Sequence, residues 1–163
     1  MRKLALALTL MASPAAAQDD GALITFQVMK PEVALTLAQA ALENCREQGY
    51  QVGVSVVDRF GVTQVFLRDR FAGPHVEETA RRKAWTAVSF RIDTLTLAEE
   101  TAPDKISSGI RHLSMALPLG GGVPIDAAGS LVGGVGVSGA PGPDIDDACA
   151  RAGIEAVADD LAF

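Results

Sequence analysis

Two imidazoles are present in the chain, at His75 and His112. An imidazole is the side chain best suited to moving a proton near neutral pH, and it is a common ligand for metals. His75 follows Gly73-Pro74 and opens a stretch to Phe90 in which Val76, Ala80, Ala84, Ala87 and Val88 recur at helical spacing. Thr79, Lys83 and Thr86 continue from His75 at steps of four, four and three, so the four polar residues share one stripe of that helix. Arg82 stands next to the stripe. An imidazole with hydroxyls and cations along one helix suits two chemistries: coordination of a metal centre with an anionic periphery, or acid–base work on a small acid. The plainer reading makes His75 a helix start and pairs Lys83 with a structural acid. His112 follows Arg111 at the end of a short helical turn, where a helix dipole favours a solvated histidine. Tyr50 and Met115 carry possible donor atoms and read as core or core edge.

Gly134, Gly136 and Ser138 alternate with Val135 and Val137, which leaves one face of a strand nearly bare. Glycine in a strand marks close approach of a ligand or of another backbone. A shallow trough beside the His75 helix and plain helix-on-sheet packing both fit. Gly134-x-Gly136-x-x-Gly139 also has dinucleotide spacing, but these glycines lie within a strand and do not open a helix. Asp144, Asp146 and Asp147 would occupy the next helix N-terminus, where a phosphate must sit. Gly120–Gly122 lacks the Lys-Ser/Thr of a phosphate loop. No G-x-S-x-G nucleophile motif is present. Arg68 and Arg70 read as solvated charges at a strand edge.

The elements that position these residues follow from period and punctuation. Pro31 opens a helix to about Gln48 with Ala34, Leu37, Ala38, Ala41 and Cys45 inward, and Gly49 ends it. Val52–Asp58 alternates as a strand, Asp58-Arg59-Phe60-Gly61 turns, and Thr63–Asp69 returns as its hairpin partner. After the His75 helix come two short helical turns, around Leu95–Thr101 and Asp104–His112. Strands are expected at Leu113–Leu117, Val123–Asp126 and Leu131–Ser138, then a closing helix from Asp144 to about Ala158. This order predicts an α+β fold with an antiparallel sheet of about five strands and helices packed on it.

Met1-Arg2-Lys3, the apolar run Leu4–Ala12 and Ala15-x-Ala17 have the order of an export leader, so residues 1–17 are expected to be removed. The run is shorter than the roughly 20 residues a bilayer span needs. Residues 18–30 then read as a polar lead-in and 31–163 as one domain. The leader carries Arg2, Lys3 and no acid, so its loss would deepen the net charge of −6. An acidic chain gains nothing from counterion release on nucleic acid and lacks a basic patch for anionic lipid. A periplasmic or secreted protein, with neither nucleic acid nor membrane as partner, is expected. Cys45 and Cys149 have no C-x-x-C spacing for zinc.

Four segments, in order, resemble a known family. Val54-Ser-Val-Val-Asp58-Arg-Phe-Gly61 resembles its VVD-x-x-G hairpin, and Ala80-Arg-Arg-Lys83-Ala84-Trp-Thr86-Ala87 its A-x-x-KA-x-TA helix. Gly121-Gly122-Val-Pro124-Ile125 resembles its GG-x-PI turn, and Gly133-Gly134-Val-Gly136-Val-Ser138-Gly139 its GA-x-GVSG strand. The chain thus looks like the GlcG/HbpS family, related to the C-terminal domain of PduO-type proteins, over about residues 32–160. The resemblance implies a profilin-like sheet flanked by helices, a homo-oligomer, and haem as cofactor in several members, with roles in haem handling or redox sensing. Haem iron needs an axial ligand, usually His. His75 is the expected ligand, in a loop reading GPH as in part of the family. Lys83 or Arg82 would face a propionate, and Thr79, Thr86, Gly134 and Gly136 would line the site. In the profilin-like arrangement the terminal helices are neighbours. If they run antiparallel, Cys45 and Cys149 meet and form a disulfide worth about 4–5 kcal/mol in the chain-entropy account. Two alternatives stand beside haem binding: an enzyme or auxiliary factor acting on a small organic acid or metabolite, and an assembly module without a small ligand.

Overall fold

A computed structural model describes residues 21–162. The expected leader, residues 1–17, and the start of the lead-in lie outside them. The elements run α1 (Pro31–Glu47), β1 (Gly53–Asp58), β2 (Thr63–Arg68), α2 (Val76–Phe90), α3 (Thr94–Glu100), a 3-10 helix (Ile106–His112), β3 (Gly122–Ala127), β4 (Ser130–Ser138), α4 (Pro143–Glu155) and α5 (Ala158–Leu161). Among the described residues no helix is long and apolar enough to cross a membrane.

The four strands form one antiparallel sheet in the order β2-β1-β4-β3. The β1–β2 turn is built by Asp58, whose side chain accepts from the amides of Phe60 at 2.8 Å and Val62 at 3.0 Å. Its carbonyl accepts from Gly61 at 2.9 Å. Gly61 has φ +82°, and Trp85 of α2 lies where a Cβ would project. Glycine meets both demands at once.

Strand alternation divides the sheet between two helical layers. Val54, Val56, Val135 and Val137 point to one face and join Leu37, Ala38, Ala41, Cys45 and Ala150 in the main core beneath α1 and α4. Gly53, Ser55, Val57, Gly134 and Gly136 point to the other face, which α2 covers. The helices on the first face approach closely, because a Cβ at Gly153 would stand 2.8 Å from both the Leu37 carbonyl and Ala41. At this contact Cys45 and Cys149 form the expected disulfide, their Cα atoms 5.6 Å apart and both residues fully buried. The buried stripe of α4 is Asp146, Cys149, Ala150 and Gly153. Further along the helix, Ala152 is half-buried and Ala156 exposed.

Among the described residues the sheet has four strands where about five were expected. Leu113–Leu117 forms no ladder. Its polar backbone groups are held by α2 side chains instead: Arg82 donates to the carbonyls of Met115 and Ala116, and the Leu117 amide donates to Thr86 Oγ1 at 2.9 Å. A segment satisfied in this way needs no strand neighbour. The described part of the lead-in is less polar than expected. It leaves Leu23, Ile24 and Val28 in water, and Phe26 meets Phe60 edge-on at 5.5 Å with Arg59 over the Phe26 ring.

Candidate functional site

His75 is the N-cap residue of α2 and makes no side-chain capping bond. Its side chain is exposed, and among the described residues its imidazole has no hydrogen-bond partner. The ring packs over Gly73, where a Cβ would come within 2.7 Å of Cε1 and Nδ1. It stands on a cleft of about 280 Å³ walled by Thr79, Leu119, Ser138 and the loop Gly139–Pro143, with Lys83 and Asp146 below. Thr79 Oγ1 lies 3.0 Å from the His75 carbonyl and 2.7 Å from Ser138 Oγ, so the two hydroxyls tie the first turn of α2 to the end of β4.

The floor of the cleft is a buried ion pair. Lys83 Nζ donates to Asp146 Oδ2 at 2.8 Å and to the Val137 carbonyl at 2.9 Å, with Lys83 1% and Asp146 5% exposed at the side chain. Asp146 Oδ1 accepts from the Ala140 amide at 3.0 Å. The backbone at Gly139 also favours the ionised form of this carboxylate. Burial pushes the Lys83 ammonium below its ordinary pKa and the Asp146 carboxyl above its own, and the attraction between them opposes both shifts. Gly121 has φ +111°, and a Cβ there would stand 3.1 Å from Lys83 Nζ and 2.7 Å from Asp146 Cβ. The pair is therefore packed from below as well as hydrogen-bonded.

The expected site residues divide into three groups. His75, Thr79 and Lys83 share the cleft. Lys83, however, is committed to Asp146, which is the structural-acid reading of that residue. Arg82 and Thr86 turn away to hold Met115–Leu117, and Arg82 also reaches Glu78 at 3.4 Å. Gly134 and Gly136 do not line an open trough. A Cβ on Gly134 would stand 2.6 Å from Val88 Cγ2, and one on Gly136 would collide with the Ala80 carbonyl. Helix α2 fills that face. His112 ends the 3-10 helix in solvent. Tyr50 packs against the main core, and the Met115 sulfur lies 4.0 Å from Arg81 Nη1.

Sequence reasoning missed Asp146 as Lys83's partner, along with Ser138's link to Thr79 and the wall formed by Leu119 and residues 139–143. A signal for Asp146 was present. It stands three residues before Cys149, on the same inward stripe.

Comparison with known proteins agrees with this architecture. Residues 29–155 match a family described as haem degrading protein HbpS-like. A double mutant of Streptomyces reticuli HbpS is 41% identical, with a TM-score of 0.78 over 89% of this chain and 97% of that one. A PduOC:heme complex is 31% identical, with a TM-score of 0.76 over 80% of this chain and 95% of that one. The corrinoid adenosyltransferase PduO of Salmonella typhimurium is 35% identical over 105 residues, which are 63% of this chain. The chain spans 31% of that relative's length.

Proposed function

This chain belongs to the HbpS-like family, and from that premise we propose that it binds haem in the cleft beside α2, with His75 as the axial ligand. The observation that carries the reading is the His75 imidazole: exposed, without a hydrogen-bond partner among the described residues, and on the rim of an open cleft. Haem iron takes such a nitrogen readily. Solved relatives that include a haem complex support the assignment.

The residues present fit the iron better than they fit the propionates. Lys83 is held by Asp146 and Arg82 by the 115–116 carbonyls, so neither is a free cation in the cleft. Bound in this cleft, haem would be held at its iron by His75, and Leu119 and the Gly139–Pro143 wall would supply the apolar contacts. The Thr79–Ser138 link fixes the backbone that carries His75. When bound, the iron would supply a redox-active centre, and handling of haem or sensing of redox state is the role we assign to it.

The same proposal places the protein outside the cytoplasm, as a periplasmic or secreted homo-oligomer. The leader-like residues 1–17 and a buried disulfide support export. Phe60, Val62 and Ile106, all more than 60% exposed, offer apolar surface for assembly.

Titration of the purified protein with haemin tests the central claim. A saturable Soret band is expected in the wild type, and its loss is expected in His75→Ala. An unchanged band in His75→Ala would remove His75 as ligand, and the absence of any band in the wild type would remove haem.

A further inference from the structure

Asp146 uses both carboxylate oxygens as acceptors, and the donors come from different parts of the cleft. Lys83, from the middle of α2, bonds Oδ2, while the amide of Ala140, in the cleft wall, bonds Oδ1. Lys83 in turn bonds Val137, one residue before the Ser138 that meets Thr79. The other ties of the loop Gly139–Pro143 are the Gly142 carbonyl, which accepts from the Asp146 amide at 3.2 Å, and Ala140, which packs on the core; Pro141 and Pro143 have no amide to donate. Asp146 itself lies three residues before Cys149, on the helix that the disulfide ties to α1.

We infer that Asp146 is a positioning residue for the cleft: its carboxylate holds the Gly139–Pro143 wall at a set distance from α2 and so sets how a ligand lies against His75. The inference rests on the haem reading for its ligand but not for its geometry. Its chemistry is specific to a carboxylate. An asparagine at position 146 has one acceptor oxygen, and its NH2 group faces a donor whichever way it turns. The buried Lys83 ammonium, the stronger donor, takes that oxygen, and the Ala140 amide is left facing the NH2 group without a partner.

The experiment compares Asp146→Asn with wild type and with Asp144→Asn, an exposed acid in the same helical turn. Hydrogen exchange is followed first, in protein free of haemin. The Ala140 amide is expected to exchange at least about tenfold faster in Asp146→Asn, the scale of one lost hydrogen bond, while the β1 and β4 amides keep their wild-type rates. Asp144→Asn is expected to match wild type throughout. Haemin titration follows. Asp146→Asn is expected to weaken binding and to shift the Soret maximum, showing an altered iron environment, with the wild-type far-UV spectrum retained. Unchanged exchange at Ala140 overturns the inference. So does faster exchange with an identical haemin affinity and Soret maximum. If wild type itself gives no Soret band, the haem reading fails, and the exchange rates alone then decide whether Asp146 holds the wall. If Asp146→Asn does not fold, the same rates are read in Lys83→Met/Asp146→Leu, which removes the acceptor without leaving a buried charge; loosening confined to the wall supports the clamp, and an unchanged wall overturns it.

Discussion

Lys83 reaches from the middle of α2 to Asp146 in the first turn of α4, 2.8 Å between charged atoms, with both side chains almost wholly out of water. The two helices lie on opposite faces of the sheet. The ion pair is thus a strut past the end of β4, joining the layer that carries His75 to the layer locked by the disulfide. Taking both charges from water is costly, and a buried pair of this kind is weak evidence for stability. Its value lies in where it places the groups around it.

The pH dependence of stability follows from the two shifts. Asp146 has its pKa raised above 3.8 by burial, so its contribution is fully present below 3.8 and is lost as pH rises through the folded value. Lys83 has its pKa lowered below 10.5 by burial, so its contribution is present above 10.5 and is lost as pH falls through the folded value. Both contributions are at their minimum between those folded values. Thermal unfolding of wild type and of Lys83→Met/Asp146→Leu across pH should therefore give a difference shaped as a trough, with wild type least favoured in the middle. A difference that instead peaks in the middle would show that the pair's attraction outweighs its desolvation.

Gly136 lies against the Ala80 carbonyl, and the obstacle is backbone. Gly136→Ala must therefore push α2 off the sheet. Overpacking commonly costs about 1–3 kcal/mol, and a backbone clash belongs at the upper end of that range. For a domain of this size, about 3 kcal/mol lowers Tm by roughly 6–12 °C. Gly109→Ala is the control, because nothing lies within 4 Å of the added Cβ. Calorimetry of the two variants should show a large fall for the first and little change for the second.

The Cys45–Cys149 disulfide closes a sequence separation of 104 residues and is wholly buried. Loss of a native disulfide typically costs about 2–5 kcal/mol. Cys45→Ala/Cys149→Ala should lower Tm accordingly, and the native protein should resist thiol alkylation until it is both unfolded and reduced. Rapid labelling of the folded protein would show the bond to be absent.

The helices and strands were legible where a period and a punctuating residue coincide, as at Pro31, Gly49 and the Asp58–Gly61 turn. Met115–Leu117 misled because its partners are side chains of α2, and a local pattern does not reveal long-range side-chain bonds. The bare face of β4 was also legible, since alternation alone exposes Gly134 and Gly136. Whether a ligand or a helix fills that face depends on tertiary packing, and α2 fills it. Lys83 lay on the His75 stripe and Arg82 one position off it, and only Lys83 joins the cleft. Its partner was harder to find, because Asp144, Asp146 and Asp147 look alike in sequence, and the turn of α4 exposes the first while burying the other two.

Gly73 provides the sharpest test of the imidazole. It does not have a left-handed φ, so alanine is compatible with its backbone. Such a replacement usually changes stability by less than about 1 kcal/mol and often raises it, by restricting the unfolded chain. The added Cβ would, however, stand 2.7 Å from Cε1 and Nδ1 of His75. The ring is a free, exposed side chain, so it yields by rotating. Gly73→Ala should therefore keep the wild-type Tm while weakening haemin binding and moving the Soret maximum. A variant with wild-type stability, affinity and spectrum would mean that the orientation of this ring does not matter to the iron, and His75 would no longer stand as its ligand.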